Sequence, residues 1–140
     1  MSKFAALALE VEKPVRMTIV HPVSRQPLRD ADGNEAYIDL FSGDSEPARK
    51  HQRTAQRRRI AMRGRGKITP EEIEADSVEL LAALTAGWML LALDGARLDV
   101  PFSIENAREL YADPSVAWLR DQVDEFAAER ANFSKASPKP

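Results

Sequence analysis

The sequence predicts an α+β fold, with a small N-terminal antiparallel sheet followed by three or four helices. Two observations carry this. Apolar residues alternate with polar ones in two stretches before Gly43, then recur at three- and four-residue steps after it, the periods of strand and helix respectively. Asp32-Gly33 stands between the two alternating stretches, a tight-turn signal of the kind an antiparallel pair needs. The chain has 140 residues, which suits one domain able to bury roughly two thirds of its unfolded surface.

Taken in order, the N-terminal segment 1–13 reads either as an arm or as an extra strand over 5–11. In "KPVRMTIVHP", Val15, Met17 and Ile19 alternate with Arg16 and Thr18 between two prolines, a strand with one buried face. In "EAYIDLFSG", Ile38 and Leu40 alternate with Tyr37, Asp39 and Phe41, a second strand. Asp44 or Ser45 can cap a helix whose first turn holds Pro47. This helix runs to about residue 63 with a thin apolar face of Ala48, Ala55 and Met62, and the glycines of "RGRGK" end it. Thr69-Pro70-Glu71-Glu72 opens another helix as a capping box. Its second half, "LLAALTAGWMLLAL", is apolar nearly all round, so that helix is expected to continue to Leu93 and be covered on several sides. Ser103 can cap a short helix through Tyr111, and Val116, Leu119, Val123 and Phe126 mark a last amphipathic one. The tail "SKASPKP" is polar and proline-containing, a disordered composition. The expected organisation is therefore one α+β domain over 14–133, flanked by the segment 1–13 and a disordered tail over 134–140.

Candidate chemistry is sparse. There are no cysteines and two histidines, which excludes disulfides and thiolate metal sites. His21 precedes Pro22 at a strand end, where a turn role suffices; His51 lies in a basic helix with no carboxylate or serine at a helical step. "DADGNE" superficially resembles a calcium loop, but the positions requiring glycine and glutamate hold Glu35 and Phe41. The acids at 71, 72, 74, 76 and 79 sit where they favour a helix dipole. No phosphate loop or nucleophile–base pair is present, so no catalytic residue, metal or cofactor is expected and the chain reads as a non-enzyme. The longest charge-free stretch, Leu80 to Leu93, is fourteen residues, short of the ~20 of a membrane span.

Charge is the strongest feature. "RKHQRTAQRRRIAMRGRGK", Arg49 to Lys67, holds nine Lys/Arg and no acid, leaving eleven basic residues against twenty-two acids elsewhere. A nucleic-acid-binding helix over 49–67 is one reading. Against it, no Phe, Trp or Tyr interleaves the run for stacking and the remaining body is acidic, so nucleic acid is disfavoured as a partner. The others are contact with an acidic protein surface, centred on Arg57, Arg58 and Arg59, and a solvated face without a partner. Trp88 and Leu91 lie in the all-round apolar segment. Trp118 falls one position off the last helix's stripe, either folded over the sheet or turned to a partner. These three are the candidate apolar anchors, and the 80–93 segment is the expected surface for self-association into a homo-oligomer.

The order of these pieces resembles the tail assembly chaperones of long-tailed bacteriophages and prophages. The resemblance spans about Val15 to Phe133 and rests on "LFSGDSEPARK", "PFSIENARELYADP" and "DEFAAERANF". It implies a non-enzymatic protein that keeps the helical tape measure protein soluble and helps recruit tail tube subunits during morphogenesis, in some cases through a longer frameshifted form. It also implies action in the bacterial host cytoplasm and absence from the mature virion.

Overall fold

The computed structural model describes residues 3–8, 11–62, 66 and 68–133. Strands β1 (Val15–Thr18) and β2 (Tyr37–Leu40) pair antiparallel, with Met17 opposite Ile38 and Val15 opposite Leu40. Helices α1 (Glu46–Ala61) and α2 (Pro70–Leu84) follow. A third strand, β3 (Thr85–Met89), then adds antiparallel to β2, giving the order β1-β2-β3. Helices α3 (Ile104–Ala112) and α4 (Ala117–Ala128) complete the domain. The class is α+β.

The third strand corrects one expectation. The apolar segment after Leu80 does not continue as a helix to Leu93. It turns into a strand at Thr85, so the strands do not all precede the helices. Three residues explain the switch. Thr85 caps α2 by donating its N–H to Ala82 and its hydroxyl to Leu81 O, at 2.8 Å. Gly87, which would cost ~1 kcal/mol inside a helix, sits opposite Asp39. Ala86, between them, has no partner across the ladder, since Leu40 faces Thr85 and Asp39 faces Gly87; this is a β-bulge. An isolated two-stranded hairpin is marginal in water, and β3 supplies the third strand that stabilises the sheet.

The core lies between one face of this sheet and α2, α3 and α4. Met17, Ile38 and Leu40 meet Leu81 of α2, Tyr111 of α3 and Val123 of α4, all buried. Two of the expected side-chain caps form; Ser45, before α1, makes none and donates its hydroxyl to Ser42 O instead. Thr69 Oγ1 accepts from Glu72 N–H and Ser103 Oγ from Asn106 N–H. Helix α1 attaches more thinly, through Ala48 and Ala55, with Ala48 against Leu84 and Ala127; the Met62 side of the expected stripe is exposed.

The segment between β1 and β2 is a set of turns. His21 Nδ1 accepts the N–H groups of Val23 and Ser24 at 3.0 and 3.2 Å, which is the turn role expected of it. Asp30 Oδ1 accepts from Asp32 and Asn34 N–H at 2.9 Å each. These backbone donors, Asn34 first, hold its carboxyl below the usual range, and Gly33 takes a positive φ of 85°. The described part of the N-terminal segment forms a 3-10 turn at Ala5–Leu7 and no strand. Residues 9 and 10 of that segment, most of the "RGRGK" break and the tail 134–140 lie outside the described residues.

Candidate interaction site

Helix α1 carries the basic run, and its first turn is locked by carboxylates. The N–H of Glu46 donates to both carboxylate oxygens of Glu12, at 3.2 Å. Arg49 bonds Glu46 and Glu12, and Arg53 reaches Glu46 at 2.6 Å. Hydrogen bonds from Arg53 and then Arg49 hold the Glu46 carboxyl below its ordinary value. Further along, Arg58 pairs with Asp76 of α2. Of the six described cations on this helix, Arg49, Arg53 and Arg58 are thus paired within the chain. Lys50, Arg57 and Arg59 are exposed and, among the described residues, have no ion pair.

The three arginines grouped by sequence therefore separate. Arg58 faces α2 and stabilises the hairpin of helices. At 100° per residue, Arg57 shares an outward stripe with Lys50, Arg53 and Ile60, opposite the buried Ala48 and Ala55. Arg59 follows Ala55 on the side of α1 that faces α2, lining with Ile73 the cleft that also holds His51.

The candidate apolar anchors are also redistributed. Leu91 is 6 % exposed and part of the core, so it offers no surface to a partner. That corrects the anchor reading, and with it the expectation of an exposed self-association helix over 80–93. Its neighbourhood is fixed by the bridge of Leu91 to Arg97 and the bond from Leu98 N–H to Leu90 O, 3.2 Å. Trp88 is half-buried. Its Nε1–H donates to Val100 O at 2.8 Å, and its ring meets Phe102 edge-on at 5.2 Å. It pins the loop between β3 and α3 to the sheet. Trp118 is half-buried against the core, and retains some surface.

Besides Leu7 and Val23, exposed aliphatic side chains occur in two groups. Ile60, Met62, Ile68 and Ile73 cluster where α1 ends and α2 begins. Leu93, Leu98, Val100 and Ile104 line the β3–α3 loop and the start of α3, with Leu93 51 % and Leu98 45 % exposed. Sequence reasoning placed Met62 in the stripe of the basic helix and Leu93 in the 80–93 segment, and passed over the others. Their signal was single apolar residues in polar surroundings, as in "RRRIAMR" and "GARLDVP", and only the fold shows which of them find no cover.

The outer face of α4 is acidic. Asp121, Asp124, Glu125 and Glu129 are exposed, and among the described residues none of them has an ion pair. Beside them runs a groove of about 510 Å³ between α4 and β1, with Met17 and Phe126 along its apolar side and Gln122, Glu125 and Glu129 along its polar one. The Gln122 amide closes one end by bonding both the N–H and the C=O of Val20, at 3.1 and 2.7 Å.

Among the described residues no group of three or more His, Asp or Glu is arranged to hold a metal ion, and no described helix is long and apolar enough to cross a membrane. No protein-family model, characterised protein or solved structure matches the chain.

Proposed function

We propose that the chain is a non-enzymatic chaperone of phage tail assembly that covers apolar surface on the tape measure protein and passes it to tail tube subunits in the bacterial host cytoplasm. The observation that carries the reading is the row of uncovered aliphatic side chains, Leu93, Leu98, Val100 and Ile104, on a loop held rigid by Trp88 and Phe102. A fixed apolar ledge is suited to the apolar stripe of a helix. Covering it fully is worth roughly 7 kcal/mol at ~25 cal/mol per Å². Association costs ~4–15 kcal/mol in lost freedom, so a single copy holds a client weakly. The resemblance in "PFSIENARELYADP" falls on the same region.

The test is co-expression with a tape measure protein, the client that this reading names. The chain should raise the soluble fraction of that client, and Leu98→Asp with Val100→Asp should remove the effect while circular dichroism stays unchanged. A client equally soluble with and without the chain refutes the proposal. Tight duplex binding by the basic helix, with no effect on the client, would favour a nucleic-acid-binding protein instead.

A further inference from the structure

The unpaired cations of α1 and the unpaired carboxylates of α4 form surfaces of opposite sign, and each has apolar area beside it. We infer that they are the two halves of one interface between copies of this chain, with the outward stripe of α1 from one copy seated on the α4–β1 groove of the next. The inference is independent of the chaperone reading and uses a different surface from the β3–α3 ledge.

Three observations carry it. The first is charge. Lys50 and Arg57 project from α1 without an ion pair among the described residues, and Asp121 and Glu125 project from α4 likewise. Where packing brings opposite charges together the chain pairs them: Arg120 with Glu74, Arg108 with Glu79, Arg130 with Asp44. Like charges left together along one helix face repel, and an opposite face relieves the repulsion on both sides.

The second is apolar complementarity. Ile60 lies on the same α1 stripe as Arg57 and is 53 % exposed. The α4–β1 groove offers the half-buried Phe126 beside Met17, flanked by the carboxylates. A helix that presents cations with one aliphatic side chain among them matches an acidic groove with an apolar floor. Duplex nucleic acid would use the cations and leave both Ile60 and the groove uncovered.

The third is topology. No ion pair joins α1 cations to α4 carboxylates within the chain among the described residues, so each surface is available to another copy. Because the two surfaces differ, the contact is head-to-tail, which closes into a ring or continues as a filament.

The experiment is sedimentation of the full chain at about 100 µM, well above the micromolar range of weak interfaces. The wild-type chain is expected to self-associate, with at least a tenfold weaker Kd in ~1 M salt, where the Debye length falls to about 3 Å. Lys50→Glu with Arg57→Glu, and separately Asp121→Lys with Glu125→Lys, should each weaken association at least tenfold. An equimolar mixture of these two variants should recover it, because the native α1 of one meets the native α4 of the other. The neutral pair Arg57→Gln and Glu125→Gln repeats the comparison should either reversal disturb the helical circular dichroism. A monomeric wild-type chain, association indifferent to both reversals, or a mixture that stays apart overturns the inference. Loss of duplex binding on reversing Lys50 and Arg57, with sedimentation unchanged, overturns it too.

Discussion

Tyr111→Phe probes the point where α2 becomes β3. The Tyr111 hydroxyl is buried and lies 2.6 Å from Thr85 Oγ1, which in turn lies 2.8 Å from Leu81 O. Threonine has one hydroxyl proton and directs it to the Leu81 carbonyl, so Tyr111 is the donor to Thr85. Phenylalanine removes that donor and strands no proton, so the loss at neutral pH is that of one net hydrogen bond, about 1 kcal/mol. Burial also pushes the phenol pKa up to about 12. The unfolded chain therefore releases this proton first as pH rises. The phenol's contribution is complete below the unfolded pKa of ~10 and is lost as pH climbs towards the folded one. One pH unit above the unfolded value the loss is ~1.4 kcal/mol, enough to cancel the hydrogen bond. The stabilities of the wild-type chain and the Tyr111→Phe variant should then converge near pH 11, by this ~1.4 kcal/mol shift. Every other group that titrates there is common to both chains and cancels. Urea unfolding of the two chains in parallel at neutral and alkaline pH measures the difference. A gap that stays constant or widens refutes the assignment of Tyr111 as a buried donor to Thr85.

Glycine substitutions should rank by space as well as by φ. A Cβ on Gly95, at φ 91°, would lie 2.6 Å from Arg29 O, whereas one on Gly33, at φ 85°, would meet nothing within 4 Å. Gly33→Ala should cost about 1 kcal/mol, the strain of its φ alone, and Gly95→Ala clearly more, as read by thermal unfolding. Trp118→Ala should cost about 2 kcal/mol, half the loss of ~3–5 for a fully buried aromatic; an unchanged melting temperature would return Trp118 to the list of free anchors. If duplex DNA is held by the three unpaired cations of α1, the log–log salt slope should be near −2.7, about −0.9 for each. A slope much steeper than this would mean that Arg63, Arg65 and Lys67 of the same run join in, or that the ion pairs of Arg49, Arg53 and Arg58 open on binding.

Much of the fold was legible because local rules and the fold agree. The alternation of Val15 and Met17, and of Ile38 and Leu40, marks buried strand faces that do pair with each other. Thr69 and Ser103 cap the helices that they precede, because a cap needs only a side-chain oxygen and the next turn's N–H groups. The spacing of Leu119 and Val123 put both in the core. The basic run was visible as charge, since charge depends on residue type alone.

Only the tertiary structure decided the rest. An apolar stretch such as "LLAALTAGWMLLAL" has no period that separates a buried helix from a buried strand. What separates them is whether a neighbouring strand has an open edge, and β2 offers one to Thr85–Met89. The same pairing buried Leu91 and turned Trp88 inward. In the basic helix, charge alone could not reveal which cations would be neutralised. Arg58 meets Asp76 because α1 and α2 lie side by side, and Arg49 meets Glu12 because the N-terminal segment returns to the start of α1. Arg57, adjacent to Arg58 in sequence, is left outward by the 100° step of the helix. Partnership between residues far apart in the chain is a property of the packed state, and the sequence records only the residues that it had to choose from.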